Sequence, residues 1–260
     1  MTFDFRGKTA LVTGAGRGIG FAIAEALVHA GVRTGLLGPR PATIDAAVSK
    51  LAGGPGEAFA LHADIRQEDQ VTAAFAEIMR RYGRLDLLVN NAGIGGPAAR
   101  ITEITREQWD EVMDINLTGA FLCSREALKI MGPAKAGKII NISSVAGRIG
   151  YSLRSPYASS KWAMIGLTRT LAVEWGSSNI QVNAICPGAV EGERIEQVIG
   201  NRASASGLPV EEVRKQYTSQ AALNRFVTAR DVSDLVLYLA SPSGDNISGQ
   251  ALDVSAGSYL

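Results

Sequence analysis

The stretch Lys8-Thr9-Ala10-Leu11-Val12-Thr13-Gly14-Ala15-Gly16-Arg17-Gly18-Ile19-Gly20-Phe21-Ala22-Ile23-Ala24-Glu25-Ala26-Leu27-Val28-His29-Ala30-Gly31 decides the fold. Residues 8–13 are apolar, partly β-branched and ended by glycine, which is the pattern of a short buried strand. Residues 21–30 are rich in alanine and leucine, as a helix requires, and Gly31 supplies a stop. A glycine-rich loop between strand and helix lets the backbone turn tightly and approach a pyrophosphate. The phosphate then rests on the N–H groups of the helix's first turn. The spacing is Thr13-Gly14-x-x-x-Gly18-x-Gly20 and not G-x-G-x-x-G.

The same alternation continues along the chain. Strands are expected at 32–37, 57–62, 85–90, 137–143, 180–186 and 249–254. Helices are expected at 42–52, 68–82, 105–131, 155–176 and 231–240, the third opened by a capping box in Thr105-x-x-Gln108. Right-handed crossovers turn this order into an α/β, Rossmann-like doubly wound parallel sheet with helices on both faces. Ligands are expected at the carboxyl ends of its strands. A prior of about 150 residues per domain would allow two domains in 260. No linker or composition shift divides the chain, so a single domain over 1–260 is expected.

Composition narrows the function. Lys and Arg number 26 against 25 Asp and Glu, and the positives are scattered, so no nucleic-acid partner is expected. No apolar run approaches the roughly 18 residues of a membrane span. The start, Met1-Thr2-Phe3-Asp4-Phe5-Arg6, lacks a signal peptide's apolar stretch, so the expectation is a cytoplasmic protein without membrane contact. Cys123 and Cys186 read as small core residues in a reducing compartment. His29 and His62 lie far apart, with no cluster of ligand spacing, and no metal site is expected.

Chemistry enters with Tyr157 and Lys161, spaced Tyr-x-x-x-Lys. Four residues apart on a helix, they share one face. An ammonium beside a phenol favours the phenolate, so Tyr157 is a candidate proton donor or acceptor near neutral pH. Further markers stand at strand ends: Asn90-Asn91-Ala92-Gly93, Ser143-Ser144, and Pro187-Gly188, with Asn116 inside the helical run 105–131. Together with Thr13-Gly14-x-x-x-Gly18-x-Gly20, they occur in the order and approximate spacing of the short-chain dehydrogenases/reductases. The chain resembles the compact, single-domain type of that family over nearly its whole length.

The resemblance implies hydride transfer between a nicotinamide dinucleotide and a secondary alcohol or ketone. Tyr157 is then the general acid/base, Lys161 its partner and a ligand of the nicotinamide ribose, and Ser144 a hydrogen-bond donor to the substrate oxygen. Asn116 positions Lys161 through water. Ser143 competes with Ser144, but the family's serine lies 13 residues before the tyrosine, which selects Ser144. For the cofactor, the resemblance implies Gly14, Arg17, Gly18, Ile19 and Gly20 at the pyrophosphate turn, and Asp64 and Ile65 at the adenine. It implies Asn90, Ala92 and Gly93 at the adenosine ribose, and Pro187, Gly188 and Val190 at the carboxamide. The family commonly has a threonine five residues past the proline, where this chain has Gly192.

Cofactor choice rests on Leu36-Leu37-Gly38-Pro39-Arg40-Pro41, where an NAD-preferring enzyme is expected to carry Asp or Glu. None is present. Arg40 with Arg17 can pair a 2′-phosphate, so NADP(H) is favoured over NAD(H). Proline in this turn is atypical and bears on where Arg40 points.

The segment 189–223 is expected to be a lid over the substrate. Glu193, Arg194, Arg148 and Arg154 are candidates to meet a small polar or anionic substrate, with solvated loop charges as the alternative. A 3-oxoacyl thioester reductase shares every motif, and a dinucleotide sensor without turnover is a third reading. The joint presence of Ser144, Tyr157 and Lys161 argues against the last. By the same resemblance, the helices at 105–131 and 155–176 pair across a twofold axis in a homodimer or homotetramer.

Overall fold

Strand β1 (Thr9–Thr13) is buried at every residue, and its side chains divide between two cores. Ala10 and Val12 face one side of the sheet and Leu11 the other, because successive residues of a strand point to opposite faces. A computed structural model describes residues 5–258. The expectation about the start of the chain falls on 1–4, outside the described residues.

After β1 come α1 (Gly18–His29), β2 (Arg33–Gly38), α2 (Pro41–Lys50), β3 (Glu57–His62), α3 (Glu68–Tyr82) and β4 (Leu87–Asn90). Then follow α4 (Arg106–Met113), α5 (Gly119–Ala134), β5 (Gly137–Ile142), α6 (Ser155–Trp175) and β6 (Ile180–Pro187). The order ends with α7 (Glu193–Ser206), α8 (Val210–Thr218), α9 (Ala229–Ala240) and β7 (Ala251–Val254). All strand pairs are parallel, in the order β3-β2-β1-β4-β5-β6-β7. The chain winds outward from β1 in one direction, then from β4 in the other. This is the doubly wound α/β sheet. Residues of α1, α2 and α9 pack one face, and residues of α3 and α5 pack the other.

One expected helix, 105–131, is two. Between α4 and α5 the chain widens into a single π turn, Asp114–Thr118. Every residue there keeps right-handed helical backbone, so no glycine or proline announces it. The capping box at Thr105 forms as expected, with the Gln108 amide bonded to Thr105 Oγ1 at 3.3 Å.

Asp86 fastens the amino-terminal end of the sheet. Its carboxylate accepts from the Thr9 amide at 2.9 Å, Lys8 Nζ at 3.1 Å and Arg84 Nε at 2.9 Å. Its backbone meanwhile bridges Thr9 and Lys138, linking β1, β4 and β5. Burial pushes the carboxyl up, but Arg84, the Thr9 amide and Lys8 outweigh it and hold Asp86 below the usual carboxylate range. A lowered folded-state pKa means the stabilisation is present above the unfolded value of about 3.9. It is lost as pH falls through the lower folded value. Asp86→Asn should cost about 1–3 kcal/mol at neutral pH. In thermal melts, the gap to wild type should narrow as pH falls below the usual carboxylate range.

Candidate active site

The strand order turns distant motifs into neighbours. β1, β4, β5 and β6 are consecutive in the sheet, and adjacent strands lie about 4.8 Å apart. The carboxyl ends bearing Thr13-Gly14, Asn90, Ser143-Ser144 and Pro187 therefore line one crevice. It opens at the switch point between β1 and β4.

At that switch point a side-chain latch fixes the glycine loop. Thr13 Oγ1 accepts from the Asn91 and Ala92 amides, each at 3.0 Å. Asn91 Nδ2 donates back to the Thr13 carbonyl at 2.9 Å and the Gly14 carbonyl at 3.2 Å. The glycines have distinct reasons. A Cβ on Gly14 would meet Ala92 Cα at 2.9 Å, and its φ is +64°. A Cβ on Gly20 would strike the Gly14 carbonyl oxygen and Asn91 Nδ2. Gly18, at φ +57°, faces open space. No side chain caps the N-terminus of α1, and its first turn carries no acid. This bare cradle of amides fits a dinucleotide pyrophosphate.

The proton-transfer candidates meet on α6. Lys161 is buried, 4% exposed. Its ammonium donates to the Ile142 carbonyl at 2.8 Å and lies 5.8 Å from the centre of the Tyr157 ring. Asn116, fully buried in the π turn, clamps the loop after β4: Oδ1 accepts from the Ile94 amide at 2.8 Å and Nδ2 donates to the Ile94 carbonyl at 3.0 Å. Nδ2 also donates to Ser160 Oγ at 3.0 Å, and Ser160 Oγ donates to the Tyr157 carbonyl at 2.7 Å. A Cβ on Gly93 would stand 3.2 Å from Asn116 Oδ1 and 3.5 Å from Lys161 Nζ, so this loop closes over the lysine.

The two serines separate. Ser143 Oγ donates to the Lys161 carbonyl at 2.9 Å and is committed to α6. Ser144 Oγ accepts from the Ala146 amide at 3.2 Å, which leaves its own proton for another acceptor. Gly147 allows the turn after β5 to lie on α6, since a Cβ there would be 2.7 Å from the Lys161 carbonyl oxygen.

Other expected residues land differently. Asn90 stands at the end of β4, but its side chain turns inward, donating to Asn141 Oδ1 at 2.8 Å and Ser124 Oγ at 3.0 Å. Only its backbone faces the crevice end of the sheet. Asp64 follows β3, yet its carboxylate is held by Arg66 Nη2 at 2.6 Å, whose hydrogen bonds outweigh burial and keep it below the usual range. Ile65 is buried against Gly119 at the head of α5. Arg17 is exposed at the N-cap of α1, and Arg40 is exposed at the N-cap of α2. Pro41 occupies the first helical position, where its missing N–H costs nothing. Ile19 lies in the first turn of α1, Pro187 ends β6 with Gly188 directly after it, and Val190 bridges to Val227. A Cβ on Gly188 would meet Ser255 Cα at 2.9 Å.

Gly192 explains its own departure. Its backbone sits at φ +134° and ψ −179°, a conformation open to glycine alone, and it caps α7. Threonine would be strained there. The arginines read as substrate contacts are engaged by protein. Arg148 Nη1 pairs with Asp253 and the Ala251 carbonyl, each at 3.0 Å, while Arg154 Nη1 donates to the carbonyls of Gly95 and Gly96. Glu193 is exposed at the start of α7, and the side chain of Arg194 lies outside the described residues. Both cysteines are free and buried, and burial pushes Cys186 up to about 11 and Cys123 to about 12, so neither is a nucleophile.

Sequence reasoning passed over Asn91, Ser160 and Gly147, although all three sit within or beside the quoted motifs. Their signal is mutual approach, which spacing along the chain does not carry.

A bare cradle of helix amides and a buried lysine beside Tyr157, at the carboxyl ends of a doubly wound parallel sheet, are the arrangement of a nicotinamide-dependent oxidoreductase of the Rossmann type. The short chain dehydrogenase family model matches residues 8–202, and the chain belongs to that family. It is 36% identical over 255 residues to the sorbitol dehydrogenase of Cereibacter sphaeroides, covering 98% of each chain. It is 34% identical to the 3-oxoacyl-(acyl-carrier-protein) reductase FabG of Staphylococcus aureus strain N315, covering 97% of this chain and 98% of that one. The structure of an NAD+-bound xylitol dehydrogenase superposes with a TM-score of 0.92 at 29% identity, covering 97% of this chain and 99% of the other.

Gly20→Ala should abolish measurable dinucleotide binding and lower the melting temperature. Gly18→Ala should cost about 1 kcal/mol from its positive φ alone. Fluorescence titration with cofactor, together with thermal melts, checks the contrast.

Proposed function

We propose that the crevice is the active site of a reversible alcohol dehydrogenase/carbonyl reductase acting on a small polar secondary alcohol or ketone. The chain forms one catalytic unit over 1–260. The observation that carries this reading is the buried Lys161 ammonium, fixed by the Ile142 carbonyl beside Tyr157. When bound, the nicotinamide supplies or accepts the hydride. Tyr157 gives a proton to the carbonyl oxygen, or takes it from the alcohol. Lys161 stands as a fixed positive charge beside that phenol, and within reach of the ribose hydroxyls. Ser144 donates to the oxygen on which charge develops. Asn116 holds the loop over Lys161 in place. Gly14, Arg17, Gly18, Ile19 and Gly20 hold the pyrophosphate. The backbone of Asn90, Ala92 and Gly93, with Asp64 and Ile65, borders the adenosine, and Pro187, Gly188 and Val190 border the carboxamide.

NADP(H) is the favoured cofactor. Gly38 offers no carboxylate to ribose hydroxyls, and Arg40 and Arg17 stand exposed at two helix starts flanking the same end of the sheet. The NAD+-bound relative supports the alternative. Arg40→Ala should weaken NADPH about tenfold and leave NADH within about twofold, read by direct binding. Equal losses would remove the preference.

The segment 189–223 serves as the substrate lid. α7 and α8 share a small core of Ile199, Ala203, Val213 and Phe226, and Arg214 pairs with Glu196 across them. Exposed Phe121 on α5 and exposed Trp162 and Val173 on α6 support association through these helices, as a homodimer or homotetramer. No described helix is long and apolar enough to cross a membrane, and a cytoplasmic location remains the proposal.

A panel of sorbitol, xylitol, gluconate, simple ketones and an acetoacetyl thioester, assayed with both cofactors, tests the reading. Tyr157→Phe and Ser144→Ala should each lower kcat by about 100-fold or more, with cofactor affinity retained. Preferred turnover of the thioester would favour the acyl reductase, in line with the similarity to FabG. Cofactor binding with no turnover across the panel would favour the sensor.

A further inference from the structure

The loop after β4 is pinned along its length, and one of its pins is a residue outside the catalytic cluster. Gly95 and Gly96 both turn their carbonyls to Arg154 Nη1, at 3.2 and 3.0 Å. Gly96 lies at φ +62° with a would-be Cβ 2.5 Å from Val112 Cγ2, so α4 presses the turn toward Arg154. One step later the Ala99 amide donates to the Leu153 carbonyl at 3.0 Å. Leu153 itself sits at φ +62° with its side chain half-exposed. That left-handed backbone is unfavourable for leucine and its side chain is only partly buried, so the main-chain contacts around it help to sustain it.

We propose that Arg154 is a positioning residue of the substrate site: it locks the 94–99 loop as a fixed wall beside the head of α6. This rests on the reading of the crevice as the substrate site. The geometry favours a structural use of the charge over direct substrate contact. A guanidinium shared between two main-chain carbonyls makes charge-assisted bonds. Arg154 also precedes α6 directly, and its carbonyl accepts from the Ala158 amide at 2.9 Å. Wall and proton donor are thus set by one residue at the head of one helix. The far end of the same wall is held at Ile94 by Asn116, which reaches α6 through Ser160. A wall fixed at both ends presents a preformed substrate surface, and a loose one must be ordered at every binding event.

Arg154→Ala and Arg154→Lys separate the possibilities. Hydrogen–deuterium exchange is read on the 94–99 segment in the cofactor-free protein, which requires no substrate. Kinetics follow on the best neutral polyol of the panel and on its carboxylate counterpart. Exchange in Arg154→Ala should quicken about tenfold or more. KM should rise by a similar factor for the neutral and acidic compounds alike, with kcat within about threefold and an unchanged pH profile. Arg154→Lys, which keeps the charge without the fork, should fall between wild type and alanine. Unchanged exchange would overturn the clamp. Quickened exchange with unchanged KM would overturn its role in substrate binding. A KM rise confined to the acid would assign Arg154 to direct anion contact instead. If no panel member is turned over, the functional reading fails while the exchange result still judges the clamp.

Discussion

The latch between Thr13 and Asn91 is the constraint on which the crevice depends. At the switch point, β1 and β4 run side by side but their chains leave for opposite faces, so the backbone beyond the last ladder bond loses its partners. Unpaired polar groups there would each be costly once out of water. One threonine hydroxyl accepts two successive amides from the β4 side, and one asparagine amide donates to two successive carbonyls from the β1 side. The gap stays open without leaving those groups orphaned. Gly14 and Gly20 then follow as necessities, because any side chain at either would collide with Ala92 or with the latch itself.

A second constraint sits across the sheet. An ammonium as buried as that of Lys161 must have partners, and it has the Ile142 carbonyl, while Gly93 closes over it from the β4 side. The π turn makes this closure possible. An added residue in the helical path sets Asn116 inward, where its amide pairs with Ile94 in the manner of a neighbouring strand. Gly119, just beyond, admits Ile65. The loop after β4 is thus framed by α4, the π turn that continues it, and the more distant α6.

The fold was legible because its signals are local. Each strand except the last is a short apolar run with a glycine, proline or polar turn after it, and the helices between them carry ordinary stop and start signals. Apart from the split at 114–118 and from α7 and α8, for which no bounds were expected, the observed strand and helix boundaries fall within about three residues of expectation for this reason. The gathering of the motif-bearing strand ends was legible as well, since the topology rules bring together the carboxyl ends of parallel strands whatever lies between them. The π turn was not. Residues 114–118 continue the helical path without glycine or proline, so the extra residue per turn leaves no mark on periodicity over so short a span. Nor was the inward turn of Asn90, because an asparagine at a strand end reads the same whether it faces a ligand or Asn141 and Ser124.

The arginines illustrate a more general ambiguity. A cationic residue in a loop beside a catalytic motif reads naturally as an anion contact. A guanidinium carries five donors, however, and main-chain carbonyls in loops are the acceptors most in need of them. Arg148 ties the segment after β5 to Asp253 and the Ala251 carbonyl on β7, and Arg66 folds back on Asp64. Both act on the scaffold around the crevice, and Arg154 acts in the same way on its wall. With these charges spent on protein groups, the walls around Tyr157 are shaped more by glycine turns and main-chain contacts than by free cations. On the proposed reading, such a pocket binds by fit, for which the relevant quantity is how rigidly the walls are held before a substrate arrives.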